Sequence, residues 1–226
     1  MDYKETLNLP KTPFPMRGNL PVKEKQILAF WDEIDLYNSL ISLHEADPRF
    51  VLHDGPPYAN GHIHLGTALN KILKDIIIRS RFMAGYRADY IPGWDCHGLP
   101  IETQAEKELK EKKAEMSKID VRRYCREYAA RFIDVQRAEF KRLGGIGDWD
   151  HPYVTMDFDY QATIIEEARK FFERGEVYRK KKPVYWCTKD RTALAEAEIE
   201  YETKKSSAIY VKFPLTSNKG FLPGSP

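Results

Sequence analysis

The stretch His53-Asp54-Gly55-Pro56-Pro57-Tyr58-Ala59-Asn60-Gly61-His62-Ile63-His64-Leu65-Gly66-Thr67 decides how the rest of the chain is read. It follows Phe50-Val51-Leu52, an apolar run with the pattern of a buried strand. It opens a helix in which Leu65, Leu69, Ile72, Leu73 and Ile76 recur at helical spacing, predicting one apolar face turned inward. Pro56 and Pro57 stop the strand, while Gly55, Gly61 and Gly66 remove side chains from the turn. His64 and Thr67 fall where the helix begins. Unpaired amides and the positive end of the helix dipole meet there and favour an anion such as phosphate. Many glycine-bearing turns of this kind bind nothing, so the junction alone does not carry the assignment.

Working outward, Gly85 ends the helix, and residues 88–91 read as a second strand closed by Pro92-Gly93. Strand, helix and strand in this order form a βαβ unit with parallel strands and a right-handed crossover. Ligands of such sheets sit at the carboxyl ends of the strands. That rule sets the loop after residue 54 beside residues 93–98 and brings Asp95 to the site. A carboxylate there can hold a substrate ammonium; the plainer alternative is that Asp95 caps a helix starting near Pro100. Upstream, residues 1–18 read as an extended arm. Asn19 and Pro21 then start a packing helix carrying Ile27, Phe30, Trp31, Ile34 and Tyr37, and Asp47-Pro48 breaks the chain.

Downstream, residues 102–115 are dense in charge and predict a solvated helix. Ser117 with Asp120 predicts the N-cap of a helix to about Leu143, whose Val121, Tyr124, Cys125, Tyr128, Phe132, Val135 and Phe140 form a core stripe. Gly144-Gly145 ends it, and a polar aromatic loop over 147–152 leads to a helix from Asp159 to Gly175. Residues 177–178, 184–186 and 209–213 read as strands, the first two flanking the basic turn Arg179-Lys180-Lys181-Lys182. No internal repeat is evident.

The 226 residues suffice for a real core, and 36 basic against 34 acidic residues leave a net charge of only +2, which argues against a general polyanion trap. Three scattered cysteines, Cys96, Cys125 and Cys187, do not make a disulfide framework and favour a reducing compartment. The first residues have no signal-peptide core and no run is long and apolar enough for a membrane span, so cytoplasmic residence is the expectation.

This text resembles that of a known family. His64-Leu65-Gly66-Thr67 is similar to the H-x-G-H signature with which class I aminoacyl-tRNA synthetases bind ATP. G-P-P-Y-A-N-G at 55–61, N-K-I-L-K-D at 70–75 and P-G-W-D-C-H-G-L-P-I-E at 92–102 resemble the isoleucyl branch, from which the valyl and leucyl branches differ. Thr67 departs from the signature's final histidine: a hydroxyl can hydrogen-bond a phosphate but carries no charge.

The resemblance implies an α/β chain. Its parts are an N-terminal arm and helix over 1–48, the first half of a Rossmann-like parallel-sheet catalytic domain over 49–178, and over 179–226 the opening of an inserted β-rich editing domain. It implies ATP-dependent activation of L-isoleucine and transfer to tRNA(Ile), with Mg2+ accompanying ATP, by a monomer. His64 and Thr67 take the catalytic role, Gly61 and Gly66 complete the ATP site, and Gly66 lets adenine approach the backbone. Gly55, Pro56 and Asp95 bind the amino acid, and Tyr58, Asn60, Trp94 and His97 from the same text are further site positions without an assigned role. Met116-Ser117-Lys118 imitates part of the family's second signature, K-M-S-K-S, but lacks its first lysine and last serine and lies too early in the chain. That signature, the editing pocket and the anticodon-binding part are expected beyond residue 226. Where relatives carry W-C-x-x-C, Trp186-Cys187-Thr188-Lys189-Asp190 has one thiolate, so no zinc is expected, nor a metal at His62 and His64. A reading from another class stays open: a non-catalytic synthetase-like piece that binds nucleotide, tRNA or a partner protein.

Overall fold

Three stretches of backbone run side by side in one direction, and the candidate loop lies on the first of them. The computed structural model describes residues 17–110 and 115–214 together with Thr6 and Thr216. They divide into two units, the break falling between Glu176 and Val177.

In the first unit, Arg49 bridges Arg87 and Tyr58 bridges Asp95, both in parallel. On the other side, β1 (Gly93–Trp94) pairs in parallel with β2 (Tyr153–Val154), Gly93 facing Tyr153 and Trp94 facing Val154. Residues 87–95 therefore form the middle of a short parallel sheet. The strands expected at 50–52 and 88–91 are reduced to isolated bridges. The first segment has one residue more between its two bridges than the second, so a continuous register is impossible. Prolines 56 and 57 lack donors, and the Gly93 amide is taken by the Asp54 carboxylate at 2.9 Å.

Helix α1 (Leu20–Glu33) and α2 (Leu36–Leu43) replace the single N-terminal helix expected through Tyr37. Asp35, with φ 44°, turns the chain between them, and Asn19 sits at the N-cap without a side-chain bond. The break lets Tyr37 reach the sheet: its hydroxyl accepts from the Tyr90 amide at 3.1 Å and donates to the Tyr90 carbonyl at 3.3 Å.

Helix α3 (Leu65–Met83) forms where expected but faces the other way. Leu65, Leu69, Ile72, Leu73 and Ile76 are exposed, Leu65 by 90%, while Lys71, Ile78 and Phe82 are buried. From 72 to 78 this helix is apolar nearly all round, so periodicity marks a helix without choosing its inner face. Asp54 chooses it by drawing Lys71 and Lys74 inward. Gly85, with φ 78°, then supplies the left-handed turn that leads to the middle segment.

Helix α4 (Leu99–Leu109) is less solvated than its charge suggests, because Ile101, Ala105 and Leu109 recur every fourth residue and are buried. Residues 111–114, also part of that expectation, lie outside the described ones. Helix α5 (Lys118–Arg142) starts at the expected cap, the Ser117 hydroxyl accepting from the Asp120 amide at 3.2 Å. Its Tyr128, Ala129, Ile133 and Phe140 join Trp94, Ile101, Trp149 and Val154 in the main core. A second cluster, Ile78, Phe82, Ala88, Tyr90 and Ile146, lies on the α2 and α3 side. Helix α6 (Phe158–Glu173) buries none of its residues.

In the second unit, β3 (Trp186–Cys187) pairs antiparallel with β4 (Thr192–Ala193), turning at Arg191 with φ 53°. Residues 177–178, 184–185 and 209–213, expected as strands, lie in no ladder among the described residues. Strand-forming sequence needs a neighbour to pair with, and a two-stranded hairpin offers little.

Candidate functional site

His64 is the N-cap of α3, and its imidazole folds back over the helix. Nδ1 accepts from the Gly66 amide at 3.1 Å and the Thr67 amide at 3.3 Å. An acceptor at Nδ1 puts the proton of the neutral ring on Nε2. Two of the amides offered to an anion are thus capped by His64 itself, and Nε2–H becomes the outward donor. This also gives Gly66 a different reason to be glycine: a Cβ there would lie 2.9 Å from Cε1 and 3.1 Å from Nδ1 of His64. The missing side chain makes room for the imidazole. Gly61, by contrast, has nothing within 4 Å of where a Cβ would stand.

Behind the loop lies a charge cluster that sequence reasoning missed. Asp54 is fully buried. Its carboxylate accepts from the Lys71 ammonium, from Lys74 at 2.6 Å and from the Gly93 amide at 2.9 Å. Lys74 also donates to the Gly55 carbonyl at 3.2 Å, and the Tyr153 hydroxyl donates to the Asp54 carbonyl. Burial raises the Asp54 pKa, but the two lysines and the amide outweigh it and hold the carboxyl below its usual range. Burial lowers the Lys71 pKa, and the attraction of Asp54 compensates only in part. Rings of Tyr90, Phe140 and Trp149 surround that ammonium at 5.7, 5.1 and 6.0 Å. The signal for this cluster was in the text: Lys71 and Lys74, one turn apart, interrupt an apolar helix just after a loop that contains an aspartate.

Asp95 ends the middle segment, half-buried, and is tied to the loop by backbone bonds. The Ala59 amide donates to the Asp95 carbonyl and the Asp95 amide to the Pro57 carbonyl, both at 2.9 Å. Its Oδ1 accepts from the His97 amide at 3.2 Å. It does not cap α4, whose N-cap is Gly98 without a side-chain bond, so the plainer alternative for Asp95 falls away.

The other expected positions divide. Gly55 gives its carbonyl to Lys74 of the Asp54 cluster, and Pro56 follows it in the chain. Tyr58 is exposed and bridges Asp95. His97 is exposed, with Nε2 at 3.1 Å from the Thr155 carbonyl. Asn60 contributes its carbonyl to the Tyr128 hydroxyl at 3.1 Å. Trp94 is fully buried in the core, so it reaches the site only through its neighbours.

Tyr153 was not anticipated. Its ring fills the space over Gly93, where a Cβ would come within 2.1 Å, and stacks between His53 and Tyr160 at 5.7 and 5.9 Å. Burial pushes its hydroxyl up to about 12. Beside the site a cavity of about 780 Å³ opens between Cys96, His97, α4 and the start of α5. In the second unit, Cys187 Sγ meets the Asp190 carboxylate at 3.0 Å. No helix among the described residues is long and apolar enough to cross a membrane.

Comparison with known proteins gives the family. Residues 26–215 match the family described as tRNA synthetases class I (I, L, M and V). The isoleucine–tRNA ligase of Geobacter sulfurreducens is 59% identical over 220 residues, which make 97% of this chain and 24% of that protein. That of Lawsonia intracellularis is 60% identical over 214 residues, 95% of this chain and 23% of the relative. The chain thus spans about a quarter of the length of these relatives. Among solved structures, LeuRS of Agrobacterium radiobacter K84, in a ternary complex with tRNA and LeuAMS, superimposes with a TM-score of 0.64 at 23% identity, covering 80% of this chain and 21% of that one. Such a likeness speaks for the fold, a Rossmann-like synthetase half-domain. A family match over residues 26–215, most of the chain, establishes that the chain belongs to the class I tRNA synthetases.

Proposed function

We propose that this chain forms the ATP- and amino-acid-binding part of an isoleucine–tRNA ligase. The observation that carries the proposal is the joining of His64 and Asp95 through one short loop, whose Tyr58 is bridged to Asp95 itself. In the reaction, the carboxylate of L-isoleucine attacks the α-phosphate of ATP, giving isoleucyl-adenylate and pyrophosphate. The terminal ribose hydroxyl of tRNA(Ile) then takes the acyl group and releases AMP. Such transfers need in-line placement and charge stabilisation more than covalent help from the protein.

Asp95 binds the substrate ammonium, with Gly55 and Pro56 as one wall of the side-chain pocket. His64 donates from Nε2 to the phosphates, while the Thr67 hydroxyl supports them; Gly61 and Gly66 shape the loop. Tyr58, Asn60 and His97 border the same space. Mg2+ arrives with ATP and neutralises phosphate charge. The enzyme works in the cytoplasm as a monomer. A pocket that must reject a side chain one methylene smaller gains only about 1–3 kcal/mol, isoleucine against valine being the standard example of that limit.

The test is a chimaera in which residues 26–215 replace the matching segment of the Geobacter sulfurreducens ligase. Isoleucine-dependent exchange of pyrophosphate into ATP, with leucine at least tenfold poorer, is expected. A folded chimaera that activates leucine as well as isoleucine, or neither, would refute the proposal.

A further inference from the structure

The loop that carries the site has almost no backbone partners of its own, and one face of α5 supplies them. Tyr128, Phe132, Gln136 and Glu139 lie at successive turns of that helix. The Gln136 amide nitrogen donates to the Tyr58 carbonyl at 3.0 Å and to the Gly61 carbonyl at 2.7 Å. Its amide oxygen accepts from the Trp94 indole at 3.0 Å. The orientation is unambiguous, because an indole only donates and carbonyls only accept. Tyr128 holds the Asn60 carbonyl, as described above. Glu139 accepts from the Ile63 amide at 2.9 Å and faces His62 Nδ1 at 2.5 Å. Burial raises the Glu139 pKa, but these two contacts outweigh it and hold the carboxyl below its usual range.

Gln136 differs from its neighbours in what it joins. Trp94 ends β1 and immediately precedes Asp95, whereas Tyr58 and Gly61 lie in the loop that ends at His64. A single buried side chain is thus bonded at once to the strand that presents the carboxylate and to the loop that presents the imidazole. Its exposure is 2% and each of its polar atoms is engaged, so it cannot shift toward one partner without abandoning another. A leucine of similar size would fill the volume, so packing alone does not call for an amide here.

We infer that Gln136 is a positioning residue that fixes the His64 loop relative to Asp95, and so sets the placement of ATP against the amino acid. This rests on the ligase reading for its chemistry, but the tie itself can be measured without catalysis. Two substrates held in register by one side chain should lose their mutual alignment when it goes, while each still finds its own contacts. The expected signature is a fall in kcat with little change in either KM, since a misplacement on the order of 1 Å costs about 100-fold in rate.

The experiment has two arms. In the first, amide hydrogen exchange is followed by NMR in the 226-residue chain and its Gln136→Leu variant. The Ala59 and Ile63 amides should exchange at least tenfold faster in the variant, with the middle of α5 unchanged. Loop amides that keep their protection overturn the inference. In the second arm, pyrophosphate exchange is measured in the chimaera described above. Gln136→Leu should lower kcat about 100-fold, with both KM values within threefold.

Gln136→Glu separates positioning from mere packing. Its carboxylate can still accept from Trp94 but cannot donate to the loop, and protonation restores one donor. Its kcat relative to the parent should therefore rise as pH falls. A flat ratio, or a loss carried wholly in KM, overturns the inference. An unmutated chimaera without activity would instead refute the ligase reading, and the exchange arm alone then decides whether Gln136 holds the loop.

Discussion

Replacing Asp54 by asparagine removes one charge from the middle of the first unit and leaves two lysines facing each other. Their side chains are only 7% and 14% exposed, so water cannot take over the role of the carboxylate. Lys74 keeps the Gly55 carbonyl, and Lys71 keeps the Tyr90 hydroxyl at 3.2 Å and its aromatic surroundings. Neither partner carries a full negative charge. Breaking a buried ion pair from one side costs about 3–5 kcal/mol, and the value here should fall in that range at pH 7. Lys71→Met should cost less, about 1.5–3 kcal/mol, because Asp54 retains Lys74 and the Gly93 amide.

The pH dependence follows from the direction of the Asp54 shift. A carboxyl whose pKa is lower in the folded state adds stability above its unfolded pKa, and this is lost as pH falls through the folded value. An unfolded aspartate titrates at about 3.9 and the folded Asp54 lies below that, so the parent should weaken progressively below about pH 4. Lys71 works in the opposite sense: its lowered pKa is a cost of burying an ammonium at neutral pH, and it is relieved only on the alkaline side. Urea unfolding of the chain at pH 3, 4, 5 and 7, with and without Asp54→Asn, measures both quantities. The variant should be much weaker at pH 7, and the gap should narrow toward pH 3. A loss under 1 kcal/mol at pH 7, or a gap that is the same at every pH, would refute the account of Asp54 as the charge that holds α3 inward.

Asp95→Ala in the chimaera should raise the isoleucine KM at least tenfold and the ATP KM less than threefold, read by pyrophosphate exchange. The tenfold floor corresponds to about 1.4 kcal/mol, at the low end for a hydrogen bond to a charged group. Gly66→Ala should push His64 off the helix terminus, lowering stability by about 1 kcal/mol through the lost cap, measured by urea unfolding, and lowering kcat more than it raises the ATP KM. Burial pushes the Cys96 thiol up to about 11, so iodoacetamide at pH 8 should leave Cys96 unmodified in the native chain and label it only in urea, as read by peptide mass spectrometry.

How much of this was legible in the sequence depends on which interaction decides each feature. The order of helices from 65 to 142 was readable because caps and turns are local: Ser117 and Gly85 mark helix ends wherever they occur, whereas Pro92, expected with Gly93 to close a strand, instead precedes β1 at Gly93–Trp94. The place of Asp95 beside the His64 loop was readable from the rule for parallel sheets, and the structure makes that neighbourhood a pair of backbone bonds. The inner face of α3 was not readable. Seven apolar residues among 65, 69, 72, 73 and 76–78 leave no unique stripe, and the choice falls to an aspartate seventeen positions away from its lysine. The same holds for Gln136, forty-two positions beyond Trp94 and seventy-five beyond Gly61, which in the sequence is one polar residue on an otherwise apolar stripe. Such a residue usually marks the solvent edge of a helix. Here the loop it faces is rich in proline and glycine, cannot pair as a strand and leaves carbonyls that need donors. A loop without regular structure has to take its rigidity from another element. In this fold the rigidity comes from side chains of α5 and from the Asp54 cluster beneath the loop, which reach it through its backbone carbonyls at Gly55, Tyr58, Asn60 and Gly61.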